Sequence, residues 1–151
     1  MKLKAIVLLL IIPAFGLAQN FNVDELIKLR KMNKYEINEH LKNSNWQYGG
    51  VSDNQHWWKS ADDMLSLETA YNVNNNIIHL ITMNNGINTR IQNQITRYKM
   101  QNTIKKRTED GILYEIFEGA NYVIILMKVY NEYGALVTKT SLMKKETFNN
   151  K

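Results

Sequence analysis

The segment Tyr122-Val-Ile-Ile-Leu-Met127 carries six consecutive apolar residues and leaves no polar face. A strand of this kind is covered on both sides, so the run predicts an interior strand over Tyr122–Tyr130. Three further β-prone segments, Thr103–Arg107, Ile112–Phe117 and Ala135–Lys144, are separated from it and from one another by short turns rich in Gly and Asn. The last third of the chain therefore predicts an antiparallel meander.

A helix is predicted immediately before this meander. Ile87, Ile91 and Ile95 recur every four residues, and Tyr98 follows three residues later. This spacing places the four side chains on one helical face, while the residues between them are polar. We expect this helix to start after Asn84-Asn85-Gly86 and to lie on a sheet, with its polar side toward solvent.

Two short helices are predicted within Phe21–Asn43. Asn22 precedes an apolar stripe with acidic residues in its first turn, which favours it as the N-cap of the first helix. Asn33 is followed three residues later by Glu36, the spacing of a capping box, so the second helix should begin there.

The region between these helices and the middle one is strand-like. Gly49-Gly50 and Asn72–Asn76 are interpreted as turns, because glycine and asparagine tolerate left-handed backbone geometry. The predicted strands are Trp46–Tyr48, His56–Ser60, a strand with Leu65, Leu67, Thr69 and Tyr71 on one face, and Ile77–Met83.

This order of elements predicts an α+β fold, with helical segments packed on an antiparallel sheet. Helices followed by strands occur twice along the chain, which allows two related helix-then-strands units divided near residues 84–86. Residues 19–151 are the length of one domain and form a single α+β domain in this interpretation.

The junction between the two N-terminal helices carries a family resemblance. Met32-Asn33-Lys34-Tyr35-Glu36-Ile37 resembles the Met-Thr-x-x-Glu/Gln-Val turn between two helices in small exported α+β domains. Such domains occur in the β-lactamase inhibitor protein family and in the BamE-type outer-membrane assembly lipoproteins. The resemblance implies a protein-binding module of the cell envelope that performs no chemistry of its own.

Residues 1–18 have the composition of a cleavable signal peptide. Lys2 and Lys4 precede the apolar run Ala5–Ile12, and a small residue, Ala18, ends the segment. Eight apolar residues are fewer than the roughly 20 that span a bilayer, so no transmembrane anchor is expected. We predict an exported protein, periplasmic or extracellular, in which the absence of cysteine excludes disulfides and a lipidated N-terminus.

The charge balance is mildly basic. The formal charge of +5 falls by two when Lys2 and Lys4 leave with the signal peptide. Nucleic acid is therefore not expected as a partner of this exported chain. We expect another envelope protein or a glycan instead.

The sequence contains no recognisable catalytic or cofactor-binding motif. His40, His56 and His79 lie on different predicted elements, and a zinc site needs three or four ligands, so neither a metal nor a cofactor is expected. No serine lies in a Gly-x-Ser-x-Gly turn. A non-enzymatic protein is favoured, and the alternative is a small hydrolase or glycan-acting enzyme whose site is assembled only in three dimensions.

The aromatic residues supply the candidate binding site. Trp57 and Trp58 are adjacent, so on a strand their side chains point to opposite faces, and one ring can be exposed. Together with Trp46 and Tyr48 they predict an aromatic binding platform. Two alternatives remain: a carbohydrate-binding module that uses exposed tryptophan, and four rings that simply build the core.

Overall fold

The computed structural model describes residues 21–61, 68–72 and 76–150, with the backbone alone at residues 68–70 and 72. Four helices occur in this part of the chain: α1 (Val23–Lys31), α2 (Lys34–Asn43), α3 (Asn85–Arg97) and α4 (Lys145–Asn149). Its eight strands are β1 (Trp46–Ser52), β2 (Gln55–Ser60), β3 (Glu68–Asn72), β4 (Ile77–Thr82), β5 (Gln101–Arg107), β6 (Leu113–Glu118), β7 (Tyr122–Tyr130) and β8 (Leu136–Lys144).

The predicted starts of the first two helices are confirmed by their caps. The Asn22 side chain accepts a hydrogen bond from the Glu25 backbone N–H, at 3.0 Å. Asn33 and Glu36 form the reciprocal capping box, with bonds of 3.0 and 2.8 Å. α3 begins at Asn85, two residues earlier than expected, because the Asn84 side chain caps it by accepting from the Ile87 backbone N–H.

All eight strands join one antiparallel sheet in the order β1-β2-β3-β4-β8-β7-β6-β5. The fold is α+β, as predicted. The first half of the chain supplies α1, α2 and the meander β1–β4, and the second half supplies α3 and the meander β5–β8. The two meanders meet where β4 pairs with β8, so each half has the predicted order of helix and then strands.

The prediction of an interior strand at Tyr122–Tyr130 is confirmed. β7 covers the same residues and pairs with β6 on one side and β8 on the other. Val123 and Ile124 point to opposite faces of the sheet, and both are fully buried. The apolar run is therefore continuous because each face carries a separate hydrophobic cluster.

The larger cluster lies between the sheet and helices α1–α3. Leu26 of α1, Ile37 of α2 and Ile91 of α3 are buried against it. Its sheet side comes from alternate residues of the strands: Trp46, Trp58, Tyr71, Ile78, Leu80, Leu142, Ile124 and Leu126. The three helices therefore cover one face of the sheet, which we call the helix face.

A smaller cluster lies on the opposite face. Ile77, Ile116, Val123 and Met143 are buried there, and Phe148 of α4 packs against them. Lys144, Lys145 and Lys151 lie at the end of the chain, and lysines at these positions predict a solvated tail. That prediction is wrong for Lys145–Asn149, because this short helix places an apolar side chain on the sheet.

The prediction of a turn at Gly49-Gly50 is also wrong. β1 continues through both glycines to Ser52, and its register with β2 shifts between Tyr48 and Gly50, as in a β-bulge. The reversal occurs at Asp53 and Asn54, whose φ angles of 52° and 60° suit a tight hairpin. Gly50, with φ of 107°, adopts a backbone conformation that suits glycine.

Several predictions fall outside the described residues. These are the signal peptide at 1–18, the positions of Leu65 and Leu67, and most of the turn at Asn72–Asn76.

Candidate functional site

The candidate site is the sheet face opposite α1–α3, which we call the open face. Strand register aligns one residue from each of seven strands in a line across this face. We call this line the central row: Trp57, Ala70, His79, Ser141, Ile125, Ile116 and Ile104. Among the described elements, α4 is the one that packs on this face, and it covers the neighbouring cluster around Met143.

Several apolar side chains of the open face remain in contact with solvent. Trp57 and Ile125 are half-buried, and Ile104 on the edge strand β5 is 42% exposed. Beside the central row, Met127 is half-buried and Val129 is 37% exposed. A sheet face with this many partly exposed apolar groups is typical of an interaction surface.

Trp57 lies opposite the glycine bulge of β1. Its register partner is Gly50, and the indole Nε1 donates a hydrogen bond to the Ser52 backbone carbonyl at 3.4 Å. The indole therefore reaches toward the end of β1 at Ser52. The ring is partly exposed on the open face, which makes it available to a partner.

His79 and Ser141 occupy the centre of the row. The His79 Nδ1 and Ser141 Oγ atoms are 2.7 Å apart, and both side chains are buried. His79 lies on β4 and Ser141 on β8, so this hydrogen bond crosses the boundary between the two meanders. Its burial makes it a structural link rather than an exposed recognition group.

Lysines form a second line, parallel to the central row. Lys59, Lys139 and Lys106 occupy β2, β8 and β5 at one register level, and we call them the lysine row. Lys139 lies between Ile81 and Met127 of the neighbouring strands. This row gives one border of the open face a positive charge.

On the helix face, by contrast, Lys105, which precedes Lys106 in the chain, is neutralised by a carboxylate. Glu115 accepts from Lys128 at 2.7 Å and lies 3.4 Å from Lys105. Burial alone raises the pKa of the Glu115 carboxyl, but the two lysines outweigh this effect, and the pKa is below its ordinary value. Lys105 and Lys106 are adjacent in sequence, yet they meet different surroundings because strand residues alternate between faces.

The structure does not bring the four predicted site residues together. Trp57 lies on the open face, whereas Trp46 and Trp58 are buried in the helix-face core. Tyr48 is also on the helix face, at its margin, and is 43% exposed. No platform of four rings is therefore formed, and Trp57 is the member of this set on the open face.

Tyr48 belongs to a small cluster at this margin. Its hydroxyl lies 2.8 Å from His56 Nδ1, and its ring centroid is 5.4 Å from that of Trp58. Lys34 lies over the Tyr48 ring, at 5.5 Å from its centroid. Burial and, to a lesser extent, the charge of Lys34 lower the pKa of His56.

One histidine does meet a carboxylate, as the enzyme alternative requires. His40 Nε2 lies 2.5 Å from Glu25 Oε1, beside a cavity of about 200 Å³ between α1 and α2. Ser44 lines the same cavity, but its hydroxyl donates to the His40 backbone carbonyl at 3.2 Å. The serine is thus not bonded to the imidazole in the manner of a catalytic triad.

Sequence reasoning missed most of the central row. Ile104, Ile116 and Ile125 were assigned to strands but not to a site, because each is an ordinary apolar strand residue. Their alignment with Trp57 depends on pairing between distant strands. The alternation of side chains along a strand indicates which residues share a face. The order and register of the strands are needed to know which residues of different strands lie side by side.

Within the described ranges, no group of three His, Cys, Asp or Glu side chains is placed to hold a metal ion. None of the helices in this part of the chain is long and apolar enough to cross a membrane. Comparison of the chain with protein-family models, curated proteins and solved structures gives no match.

Proposed function

We propose that this chain is a non-enzymatic binding protein of the cell envelope that holds another protein on its open face. The observation that carries the proposal is that Trp57, Ile125 and Ile104 of the central row, with Met127 and Val129 beside it, keep apolar surface in contact with solvent on one sheet face. The signal-peptide composition of residues 1–18 supports export to the envelope. The resemblance of the Met32–Ile37 junction to exported protein-binding domains points the same way.

The dimensions of the open face suit a protein partner. Eight strands spaced about 4.8 Å apart are roughly 34 Å wide, and strands of about six residues are roughly 20 Å long. The face therefore offers on the order of 700 Å², part of which α4 covers. A standard protein interface uses about 800 Å² on each partner, so the uncovered part of this face corresponds to the smaller, transient class of protein interface.

A glycan is less well suited to this face. Carbohydrate stacks on flat aromatic rings, and the open face carries Trp57 on β2 and Tyr114 on β6. Five strand spacings separate them, which is about 24 Å. The side chains described between them are mainly aliphatic, and such groups contribute to protein interfaces through apolar burial.

A photo-crosslinking experiment tests the proposal. A photoreactive phenylalanine analogue is placed at Val129, on the open face, or at Tyr35, which is 73% exposed on α2 and serves as the matched control. After irradiation in envelope extract, we expect a discrete protein adduct from position 129 and none of the same mass from position 35. Equal adducts from both positions, or none from position 129, would contradict a binding face there.

A second candidate function rests on the contact between His40 and Glu25. A His–carboxylate pair beside a cavity is the minimum for general acid–base chemistry in a small hydrolase. This function predicts hydrolysis of a chromogenic ester or glycoside that is lost in His40→Gln and retained in His56→Gln. Absence of turnover above that of His40→Gln would remove the enzyme hypothesis.

A further inference from the structure

We infer that the partner of the open face is an acidic protein surface, in which carboxylates border an apolar centre. This inference rests on the proposed function and adds the chemistry of the partner. It is drawn from the lysine row, which lies two residues along each strand from the central row and on the same face of the sheet.

The lysine row is evenly spaced. Lys59, Lys139 and Lys106 lie on every third strand of the sheet order, so neighbouring members are about 14 Å apart. The position between Lys59 and Ile81 belongs to Glu68, which is described by its backbone alone. Lys139 and Lys106 are therefore the members of the row whose neighbours on the adjacent strands all have described side chains.

Neither of these two lysines forms an ion pair within the described part of the chain. Lys106 lies over the Tyr114 ring, 5.9 Å from its centroid, and Lys139 is half-buried between apolar neighbours. Glu118 is the one acid on this face whose side chain is described, and it pairs with Lys145 at 3.2 Å. A carboxylate brought by a partner would therefore meet cations that have no described intramolecular carboxylate competitor.

The partial burial of Lys139 strengthens its preference for a partner carboxylate. Ile81 and Met127 flank Lys139 and reduce its contact with water, so a charge-assisted hydrogen bond to a carboxylate is stronger there than on a fully exposed lysine. The apolar centre of the partner would cover Ile125 and Ile104, which lie next to the two lysines. Apolar burial then supplies affinity, and the lysines supply orientation and specificity.

A second copy of this chain is a poorer occupant. It would bring its own lysine row, while its Glu118 is already paired with Lys145. A lipid surface is also less well suited, because peripheral proteins insert protruding apolar groups by about 5–10 Å. The four most exposed large apolar residues of the described chain, Tyr133, Tyr35, Tyr130 and Val51, do not lie together on this face.

The probe for the test is a random copolymer of glutamate and tyrosine, added to the ¹⁵N-labelled protein. We expect amide shift changes centred on Lys139, Ile125 and Ile104. The pair Lys106→Gln/Lys139→Gln should weaken binding roughly tenfold, since two ion pairs of about 0.7 kcal/mol each are lost. The control pair Lys31→Gln/Lys42→Gln removes the same charge from exposed helix positions and should change the dissociation constant by less than about twofold.

Three outcomes would overturn the inference. Equal weakening by both lysine pairs would mean that the copolymer follows net charge rather than this face. The same footprint from phosphatidylglycerol vesicles, without one from the copolymer, would identify a lipid surface. The same footprint on raising the protein concentration, with no copolymer effect, would identify a second copy.

A failure of the proposed binding function can be distinguished from a failure of the inference about an acidic partner. If the adduct at position 129 persists in Lys106→Gln/Lys139→Gln with unchanged yield, the open face binds a protein but its acidic character is wrong. If no adduct forms at position 129 in the wild-type chain, the binding face itself is wrong.

Discussion

His79 Nδ1 and Ser141 Oγ lie 2.7 Å apart, although the two residues are 62 positions apart in the chain. Their hydrogen bond spans β4 and β8, the strands at which the two halves of the sheet meet. Both side chains are buried, so the bond is protected from competition with water. It adds a side-chain link to the backbone ladder at the one boundary that joins the N-terminal meander to the C-terminal meander.

We expect Ser141→Ala to lower the free energy of unfolding by about 1–2 kcal/mol, because His79 Nδ1 loses this buried partner. Urea denaturation followed by circular dichroism measures the change. Ser52→Ala is the matched control, since Ser52 is exposed in the β1–β2 hairpin. An unchanged midpoint for Ser141→Ala would show that the hydrogen bond contributes nothing to joining the halves.

The two adjacent tryptophans should differ in their effect on stability. Trp58 is fully buried and donates from Nε1 to Asn38 at 3.1 Å, so Trp58→Ala should cost roughly 3–5 kcal/mol. Trp57 is half-buried on the open face, and Trp57→Ala should cost about 1 kcal/mol or less. Equal losses in thermal or urea unfolding would place both rings in the core and remove Trp57 from the binding face.

Glu115 should make part of the stability depend on pH. Its pKa in the folded protein is below the ordinary value of 4.5. The stability that its ion pairs with Lys128 and Lys105 contribute is therefore complete above pH 4.5. The contribution is lost as the pH falls through the lower pKa of the folded state. Glu115→Gln should therefore cost about 1–3 kcal/mol at pH 7, between the values for exposed and buried ion pairs.

Unfolding measured from pH 7 to pH 2 checks this expectation. The curves of wild type and Glu115→Gln should approach each other at the acid end, where the carboxylate of the wild type is protonated. Glu109→Gln, at an exposed position after β5, should follow the wild-type curve throughout. A constant difference between wild type and Glu115→Gln over this range would rule out the ion pairs as its cause.

His56 should titrate below pH 6.5, because burial and the Lys34 charge both disfavour the protonated ring. The stability contributed by the neutral ring is complete above pH 6.5 and is lost as the pH falls through the lower pKa of the folded state. Lys34→Gln should raise the pKa of His56 only in part, since burial is the larger cause. NMR titration of the ring protons tests this, with Lys42→Gln as control, and titration at or above 6.5 in the wild type would contradict it.

Local signals in the sequence were sufficient for most of the secondary structure. The isoleucines of α3 recur with the helical period, and all three are buried as that period predicts. Asn22, Asn33 and Asn84 mark helix starts through bonds to backbone groups only three residues away. Such features depend on neighbours in the chain, so the sequence contains what is needed to recognise them.

Features that depend on distant neighbours were not predictable in this way. Gly49-Gly50 has the composition of a turn, but pairing with β2 keeps it extended and makes it a bulge. The helix at Lys145–Asn149 is too short to have a clear period, and its burial depends on a sheet face assembled from other strands. The sequence also indicated that Trp57 and Trp58 face opposite ways without indicating which one meets the helices.

The order of the strands also has a consequence for folding. β4 has β3 on one side, and on the other side its partner is β8, whose residues lie about 60 positions further along the chain. Until β8 is in place, the backbone groups along this edge of β4 have no strand partner, and an open apolar edge of this kind invites pairing with another chain. A chain interrupted before residue 136 would therefore keep a complete first meander but expose Ile78 and Leu80 at its border, and we expect such a product to aggregate rather than persist as a folded half.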